Sequence, residues 1–573
     1  MKFLRLLTYP FNIGTSKIVG AIRNLPITEK VLFFSAISIF VISGGLLVFN
    51  ANTNWQVEVP THGGTLREGI VGTPRFINPV LAISDADRDL TSLVYAGLTK
   101  ASPEGEYIPD LAESYRISED GTIYTFTLKD NLTFHDGEPV TTEDVAFTIQ
   151  MAQDPLLKSP KRVNWDGVAV NVLSDKEIQF ILSDPFVPFI ENTTLGILPE
   201  HIWNNITTDQ FQFSQFNIDP IGPGPYKISS IRYNSGGFPI YYELSPFKDY
   251  ALGESYIDRI IIRLYQNDTE LVKAFNENNV DAISGFSKEE FESLNLSESD
   301  EIIKTSLPRI FGLFFNQNEN PVLLNKEVRE ALNVAVDRQD IVDKVFGEFA
   351  ESTDSPIPNF LEAEATTSPE LARKTLEGAG WSINEETSIY ERETDDGIER
   401  LSFTISTSNI PELVETAELL QEQWRNIGAE VQVKTFETSD LNQNVIRPRD
   451  FEILLFGLVL GRNTDLHPFW HSSNRNDPGL NIAQYTNITV DKIVDDVRVT
   501  TDSAQRQDLF SSFIKELKKD MPAVFVYSPL FTYVLPEKVH YTSIGNVVLP
   551  SDRFNSVHQW YIETYKVWKI FID

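Results

Sequence analysis

Residues 401–436 read LSFTISTSNIPELVETAELLQEQWRNIGAEVQVKTF, and this stretch decides the fold class. Alternating apolar residues at its two ends predict strands, and Pro411 marks the start of a helix between them. Every third or fourth residue of that helix is apolar, which gives it one buried face: Leu413, Ala417, Leu420, Trp424 and Ile427. Gly428 ends the helix, and the apolar run FEILLFGL (451–458) follows as a strand covered on both sides. Strands alternating with a helix in this order predict α/β architecture with right-handed crossovers.

The segments before this stretch repeat the alternation of strands and helices. VREALNVAVDRQDIVDKV (328–345) has helical periodicity. Apolar and polar residues alternate over 123–129, which predicts a half-buried strand. Thr141 and Asp144 then form a capping-box pattern that predicts a helix to about Ala152. The loop PIGPGPY (220–226) delivers a further strand, YKISSI. The pattern therefore extends through most of the chain.

The N-terminal region predicts a membrane segment. VLFFSAISIFVISGGLLVF (31–49) carries no charge and is just long enough to cross hydrocarbon about 30 Å thick. Residues 1–30 hold five basic side chains and one acidic side chain, which places them in the cytoplasm and the rest of the chain outside. A secretory signal usually has a shorter apolar core and a small-residue cleavage site, whereas Phe49 and Ala51 are a poor pair for cleavage. We expect an uncleaved signal anchor, with cleavage as the open alternative.

Composition narrows the functional classes. The 573 residues include 82 acidic and 48 basic side chains, a net charge of −34, and a surface this acidic excludes nucleic acid as the main partner. Cysteine is absent, which excludes disulfides, thiolate metal sites and a cysteine nucleophile. With 41% apolar residues and 38 phenylalanines, the chain can build sizeable cores.

Motifs for catalysis are missing from the sequence. It has no GxSxG elbow, P-loop, HExxH or GxGxxG pattern. The closest histidine pair is His467 and His471 in HPFWH, which on a helix would share one face and could hold a metal. Pro468 and the lack of a nearby third ligand argue against that. The sequence therefore predicts no catalytic residues, no metal and no cofactor.

A family resemblance is carried by the segment YIPDLAESYRISEDGTIYTFTLKDNLTFHDGEPVTTEDVAFTIQ (107–150). It closely resembles the signature region of bacterial extracellular solute-binding proteins of the peptide/nickel-binding group, which deliver ligands to ATP-driven importers. Further landmarks follow in the family's order: GGTLR (63–67), INPV (77–80), VYAGLTK (94–100), LPEHIW (198–203), PIGPGPYKI (220–228), IDRIIIRLY (257–265), FGLFFN (311–316), VREALNVAVDR (328–338), ARKTLEGAGW (372–381), LLQEQWRNIGAEV (419–431) and TDLHPFWHSS (464–473). The resemblance spans about residue 63 to the C-terminus.

The resemblance implies a type II periplasmic-binding-protein-like α/β fold of two lobes joined by a double hinge, here preceded by one transmembrane helix. The implied organisation is a basic cytoplasmic tail (1–30), a signal anchor (31–49), a polar tether (50–62), a first lobe (63–305 plus 535–573) with an extra subdomain (about 100–219), and a second lobe (306–534). A ligand would lie between the lobes and be buried when the hinge closes. Peptides suit such a cleft because an extended backbone can pair with exposed strand edges.

Alignment on the family's peptide binders places Arg462 where an acidic residue pairs with the peptide's amino group; a shift of three residues places Asp465 there instead. An arginine would attract a carboxylate, sulfate or phosphate. Alternatively, Arg462 pairs with Asp465 or Asp477 across a loop. The predicted ligand-binding residues are Asn78, Tyr95, Gly461, Arg462, Asn463, Asp465 and Trp470.

The resemblance implies a non-enzymatic function. We expect a monomeric, membrane-anchored binding subunit that captures peptides or similar small ligands outside the cytoplasm and passes them to a permease and an ATPase. A different class stays open, namely a tethered sensor that reports ligand occupancy to a signalling partner. Only about 30 residues are predicted inside the cell, which is too few for an output domain.

Overall fold

The computed structural model describes residues 26–571 except 359, 361–366, 396 and 542. Its α-helices are Ile27–Asn54, Asp85–Val94, Thr142–Gln153, Arg162–Trp165, Glu200–Trp203, Thr208–Phe211, Asp268–Asn276, Lys288–Glu292, Lys326–Val334, Arg338–Ile341, Pro369–Gly378, Pro411–Arg425, Thr438–Asp440, His467–Trp470, Ile488–Val499 and Ser503–Asp520. Its strands are β1 (Gln56–Thr61), β2 (Thr65–Val71), β3 (Thr99–Ala101), β4 (Tyr107–Pro109), β5 (Ala112–Ile117), β6 (Ile123–Leu128), β7 (Ala169–Ser174), β8 (Glu177–Ile181), β9 (Tyr226–Tyr233), β10 (Pro239–Pro246), β11 (Arg259–Tyr265), β12 (Ala282–Ser284), β13 (Asp300–Ser306), β14 (Arg309–Phe315), β15 (Ala350–Ser352), β16 (Ser382–Ile383), β17 (Tyr390–Thr394), β18 (Gly397–Arg400), β19 (Ser402–Ser408), β20 (Glu430–Phe436), β21 (Ile453–Val459), β22 (Ala523–Pro536) and β23 (Glu563–Trp568).

One mixed sheet forms the framework, with the strand order β20-β19-β21-β14-β22-β12-β2-β11-β10-β9. Its central member, β22, is 14 residues long. The first part of β22 pairs with β14 and β15, and the second part pairs with β12 and β13. The strands from β20 to β14 form one half of this sheet, and those from β12 to β9 form the other. The chain passes between the two halves twice, first in the short link from β13 to β14 and again within β22.

The buried apolar side chains of the described residues form three cores that each lie on one side of these crossings, and a smaller core that spans them, in which Phe349 packs with residues 271–294 and Val534. One large core is built from residues 66–307 and 531–560, and we call this part the first lobe. Two further cores lie within residues 310–527, which we call the second lobe. Leu313 and Phe315 of β14 belong to one of these cores, and Ile310 and Phe314 belong to the other. Because successive side chains of a strand point to opposite faces, both faces of the sheet are buried around β14 and β21, as the apolar run 451–458 predicts.

The α/β interpretation of residues 401–436 is confirmed. Strands β19 and β20 pair in parallel, and the helix Pro411–Arg425 connects them. All five residues of the predicted apolar face are buried. The strand over 451–458 is β21, which pairs in parallel with β19 and antiparallel with β14.

The first lobe contains a second, smaller sheet in the region expected to hold the extra subdomain. Strands β5 to β8 form it, in the order β5-β6-β8-β7. The predicted strand near 123–129 is β6, and the predicted helix is Thr142–Gln153. Its capping box forms as expected, because the Asp144 carboxylate accepts a hydrogen bond of 2.8 Å from the backbone N–H of Thr141.

A separate compact unit combines the N-terminal segment with the last strand. The helix Ile27–Asn54 includes the predicted membrane segment, and its stretch Ile27–Leu47 is long and apolar enough to cross a bilayer, with a mean hydropathy of 2.0. Strand β1 pairs antiparallel with β23. Part of the expected tether (50–62) is therefore a strand, and 563–568 pairs with it rather than within the first lobe. Most of the predicted cytoplasmic tail (1–30) lies outside the described residues.

Candidate ligand-binding site

A cavity of about 270 Å³ lies at the edge of the first lobe, where one loop of the second lobe reaches it. Its first-lobe wall comes from the helix Asp85–Val94 and from segments near residues 95–110, 161–165, 191–196 and 548–555. Arg462 is the second-lobe residue that lines it within the described part of the chain. The cavity is therefore built mainly by one lobe and bordered by the other.

Tyr95 is fixed at the cavity wall by close backbone packing. It follows the helix Asp85–Val94 and is 4% exposed. The loop Gly222-Pro-Gly packs against this helix end, and the N–H of Gly224 donates a hydrogen bond of 2.8 Å to the Val94 carbonyl. A Cβ at Gly222 would lie 2.2 Å from that carbonyl oxygen, so only glycine permits the approach. The proline-rich loop thus positions Tyr95 as well as the strand after it.

The Tyr95 hydroxyl has no hydrogen-bond partner within the described part of the chain. Burial raises the pKa of this hydroxyl, so it stays a neutral donor and acceptor. An unpaired buried polar group costs free energy, which a ligand with a hydrogen-bonding group would recover.

Charges of both signs line the same cavity. Asp110 accepts a hydrogen bond of 3.0 Å from the Tyr250 hydroxyl, which in turn accepts one of 3.3 Å from the Lys100 ammonium. Burial raises the pKa of Asp110 and lowers that of Lys100. Burial also lowers the pKa of Lys161, and the nearby charge of Arg88 adds to this effect. Glu191 lines the same wall. The site can therefore meet both an ammonium and a carboxylate.

Arg462 joins the second lobe to the first across the cavity edge. It follows β21 and Gly461, whose φ of +72° turns the chain sharply. Its guanidinium donates 2.8 Å to the Asp552 carboxylate and 2.5 Å to the Asn546 carbonyl. Asp552 also accepts the backbone N–H of Val548 at 2.8 Å. The structure thus gives Arg462 a partner in the other lobe, different from the Asp465 and Asp477 considered from sequence.

Two further contacts cross between the lobes on the same side. The Asn463 amide donates a hydrogen bond of 3.2 Å to the Glu191 carboxylate. The Arg498 guanidinium lies 5.4 Å from the ring centre of Phe186, within the range of a cation–π contact. Loop 461–463 and the helix Ile488–Val499 of the second lobe therefore both contact the first lobe.

Asn78, Asp465 and Trp470, also predicted as site residues, do not line this cavity. Asn78 is fully buried and bonds to Asn217 at 3.1 Å. Asp465 pairs with Arg498 at 2.6 Å. Trp470 is 1% exposed and packs within the second-lobe core, against rings that include Phe314 and Phe513.

Of the predicted site residues, Tyr95 and Arg462 line the cavity. Asn463 does not line it but donates a hydrogen bond to Glu191, which does. Sequence reasoning missed Glu191, Asp552 and Lys161, because none of them belongs to a recognisable motif. The only available signal was the general rule that buried charges need partners.

Comparisons with known proteins agree with this architecture. Residues 106–479 match the family model described as "Bacterial extracellular solute-binding proteins, family 5 Middle". The oligopeptide-binding protein AppA of Bacillus subtilis is 27% identical over 532 residues, covering 90% of this chain and 94% of AppA. The nickel-binding periplasmic protein of Escherichia coli is 27% identical over 490 residues, covering 80% and 86%.

Solved structures show the same fold. The ABC transporter substrate-binding protein CtaP from Listeria monocytogenes superposes with a TM-score of 0.72 at 25% identity, covering 88% of this chain and 100% of CtaP. AppA from Bacillus subtilis in complex with a nonapeptide gives 0.66 at 25% identity, covering 88% and 100%. NikZ from Campylobacter jejuni in complex with Ni(L-His) gives 0.67 at 25% identity, covering 87% and 99%.

Proposed function

Because this chain belongs to family 5 of the bacterial extracellular solute-binding proteins, we propose that its cavity captures short peptides and that the second lobe closes over them. The protein is the solute-binding subunit of an ABC importer and works with permease and ATPase subunits. The family binds solutes rather than converting them. CtaP is an ABC transporter substrate-binding protein, which supports transport over sensing.

Closure is supported by the contacts that Arg462 and Asn463 make with Asp552 and Glu191, since they join the two lobes at the edge of the cavity. The two crossings between the lobes lie side by side: the Ser528 hydroxyl donates 2.8 Å to the Arg309 carbonyl. Short, adjacent crossings are the geometry of a hinge. We therefore place the lobe boundary at these crossings, near the predicted bounds of 305–306 and 534–535.

Peptide as the cargo is supported above all by the paired charges of the cavity. A free peptide carries an ammonium and a carboxylate at opposite ends. Glu191 can accept the ammonium, and Lys161 and Arg88 can hold the carboxylate. A volume of about 270 Å³ is just below the usual range of small-molecule sites, roughly 300–1,000 Å³, which favours a short peptide.

Within the predicted site, we assign direct ligand contact to Tyr95 and Arg462. Asn463 would orient Glu191 toward the ligand, and Gly461 allows the turn that brings both residues to the cavity. Asp465 would hold the helix of Arg498 beside them.

Anchoring by the N-terminal helix is part of the same proposal. Protease added to intact cells should remove the large domain and leave a small N-terminal fragment in the membrane. Mature protein that begins near residue 52 and is found in the medium would show a cleaved signal instead.

Calorimetry with dipeptides and tripeptides tests the cargo assignment. Tyr95→Phe removes the unpaired hydroxyl and should weaken binding about three- to tenfold, because one ligand hydrogen bond is lost. Tyr242→Phe is the matched control, since its hydroxyl is also buried and unpartnered within the described chain but lies on β10, away from the cavity. For the unaltered chain, blocking either terminus of the peptide should also lower the affinity. Equal affinity for free and doubly blocked peptides would contradict the peptide proposal.

A further inference from the structure

Two histidines and one aspartate form a cluster on the second lobe, apart from the cavity. His467 is the first residue of the helix His467–Trp470, and His471 is its C-cap. Their rings are parallel within 15°, and the ring centres are 4.3 Å apart. Pro468 does not disturb this helix, because proline is well tolerated in the first turn. The sequence pair HPFWH therefore does present both imidazoles on one side.

The third member comes from a neighbouring helix. Asp495 lies on Ile488–Val499, with carboxylate oxygens 3.4 Å from Nε2 of His467 and 3.7 Å from Nε2 of His471. The three candidate ligand atoms lie within 4.8 Å of one another. Ligands bound at ~2.0–2.1 Å to a tetrahedral metal are separated by about 3.3–3.5 Å. The spacing is thus close to that of a metal site and longer than a good hydrogen bond.

The groups around the cluster hold the two imidazoles in place. A histidine that binds metal through Nε2 carries its proton on Nδ1 and needs an acceptor there. Nδ1 of His471 accepts a hydrogen bond of 3.1 Å from the Ser473 backbone N–H and lies 2.7 Å from the Ser473 hydroxyl, so metal binding through Nε2 would move the ring proton to Nδ1 and exchange the first bond for one to the hydroxyl. Nδ1 of His467 lies 3.3 Å from the Asn474 amide nitrogen, which donates a hydrogen bond of 2.9 Å to the His467 carbonyl.

One carboxylate of the cluster is open to a cation. The nearby Arg498 is paired with Asp465 at 2.6 Å, although its charge still opposes a positive charge on His467. Asp495 is 57% exposed and pairs with no lysine or arginine within the described chain. Its carboxylate is thus available to a metal ion.

We propose that His467, His471 and Asp495 bind a divalent transition metal, zinc by preference, with water in the remaining position. Two imidazoles and one carboxylate suit zinc or nickel better than magnesium or calcium, which prefer oxygen ligands. The site is separate from the cargo cavity, since none of its three residues lines that cavity. A bound metal would tie the helix His467–Trp470 to Ile488–Val499 and so steady the loop that carries Arg462.

The test uses the full-length chain in detergent, stripped with a chelator and titrated with zinc chloride in competition with a coloured chelator. One zinc ion should bind per chain. His471→Ala and Asp495→Asn should each weaken zinc binding at least about tenfold. Cobalt(II) should give the intense visible bands of tetrahedral coordination, and these bands should vanish in both variants.

The matched control is His201→Ala, which breaks an exposed histidine–aspartate pair, His201 with Asp136 at 3.0 Å, that has no second imidazole. It should leave zinc binding unchanged. Far-ultraviolet circular dichroism shows whether each variant is folded, and Asp495→Asn, which keeps the shape of its side chain, guards against misfolding of the histidine variant. The proposal is overturned if the unaltered chain binds no zinc, or if zinc binds equally well to His471→Ala and Asp495→Asn.

Discussion

Arg462 and Arg553 lie 91 positions apart in the chain, and both form ion pairs with carboxylates. One pair connects the two lobes, and the other lies within a single lobe. Arg553 is fully buried in the first lobe and bonds to both Glu68 and Asp89, at 3.0 and 2.6 Å. The Tyr533 hydroxyl donates 2.8 Å to Glu68 and completes this cluster. Arg462 bonds to a single carboxylate, Asp552, and that contact crosses from one lobe to the other.

The difference shows that the position of an ion pair decides whether it breaks only on unfolding or also when folded parts of the protein separate. All members of the Arg553 cluster belong to one core, so the cluster can break only when the first lobe unfolds. The Arg462 pair joins residues of the two lobes, so under the proposed hinge closure it can break while each lobe stays folded. We expect mutations in the first site to change stability and mutations in the second to change binding.

The largest effect is expected for Arg553→Ala. It leaves two carboxylates buried without their cation, and breaking a buried pair in this way costs about 3–5 kcal/mol. Urea titration should show this loss in the free energy of unfolding. Replacing all three members by apolar residues, as in Glu68→Met, Asp89→Leu and Arg553→Met combined, should recover most of it. A loss below about 1 kcal/mol for Arg553→Ala would remove the distinction between the two sites.

Arg462→Ala should lower the affinity for peptide and leave the free energy of unfolding nearly unchanged. Truncating one member of a largely buried charge pair costs about 2–4 kcal/mol of binding free energy. Calorimetry with a bound peptide measures this loss, while urea titration without peptide should show little change. Arg447→Ala is a control, because its pair with Asp477 is exposed and spans 3.8 Å. Equal losses of stability and of affinity would place Arg462 among the structural residues.

Acid should weaken the core of the first lobe through His558. Burial lowers the pKa of His558 to about 3, and Lys100 and Lys129 add to this shift. Below the unfolded value of about 6.5, the unfolded chain binds a proton that the folded chain does not, so stability falls as the pH drops from 6.5 toward 3. Well above pH 6.5 neither state binds this proton, so the histidine adds no pH dependence to the free energy of unfolding.

Between pH 7 and pH 5 the loss amounts to about 2 kcal/mol. His558→Gln should therefore be less acid-sensitive by that amount in urea titrations at the two pH values, and the exposed control His201→Gln should behave like the unaltered chain. Identical acid sensitivity of His558→Gln and the unaltered chain would refute the assignment.

The smallest effect is expected for Asn463. Asn463→Ala removes one hydrogen bond between the lobes and should cost about 0.5–1.5 kcal/mol of peptide binding. A double-mutant cycle with Glu191→Gln separates this contact from the role of Glu191 toward the ligand. If the two losses simply add, the Asn463–Glu191 bond contributes nothing to closure.

Local features of the fold were predictable from sequence because they depend on short-range periodicity. The strand and helix of 401–425, the capping box at Thr141 and the membrane-length helix all follow from residues close together in the chain. Tyr95 could also be placed, since it lies within a family landmark and at a helix end.

The contacts that define the site were not predictable, because their members are far apart in the chain. Arg462 and Asp552 are separated by 90 positions, and Asn463 and Glu191 by 272. Charged residues are usually exposed, so nothing in the sequence marks Arg553 as buried. Asp495 could not be recognised as a partner of HPFWH, since helix packing alone brings it there. Trp470 stays a predicted ligand contact, and the structure shows its ring packed in a second-lobe core.

Distance measurement between the lobes tests the central claim most directly. The chain contains no cysteine, so Asp184→Cys and Thr501→Cys introduce two specific spin-label positions, one near Phe186 and one near Arg498. Double electron–electron resonance on the full chain should show a broad distance distribution that becomes shorter and narrower when a peptide binds. In the Arg462→Ala background the shortening should be smaller. Unchanged distances with a tightly bound peptide would contradict closure of the lobes over the cargo.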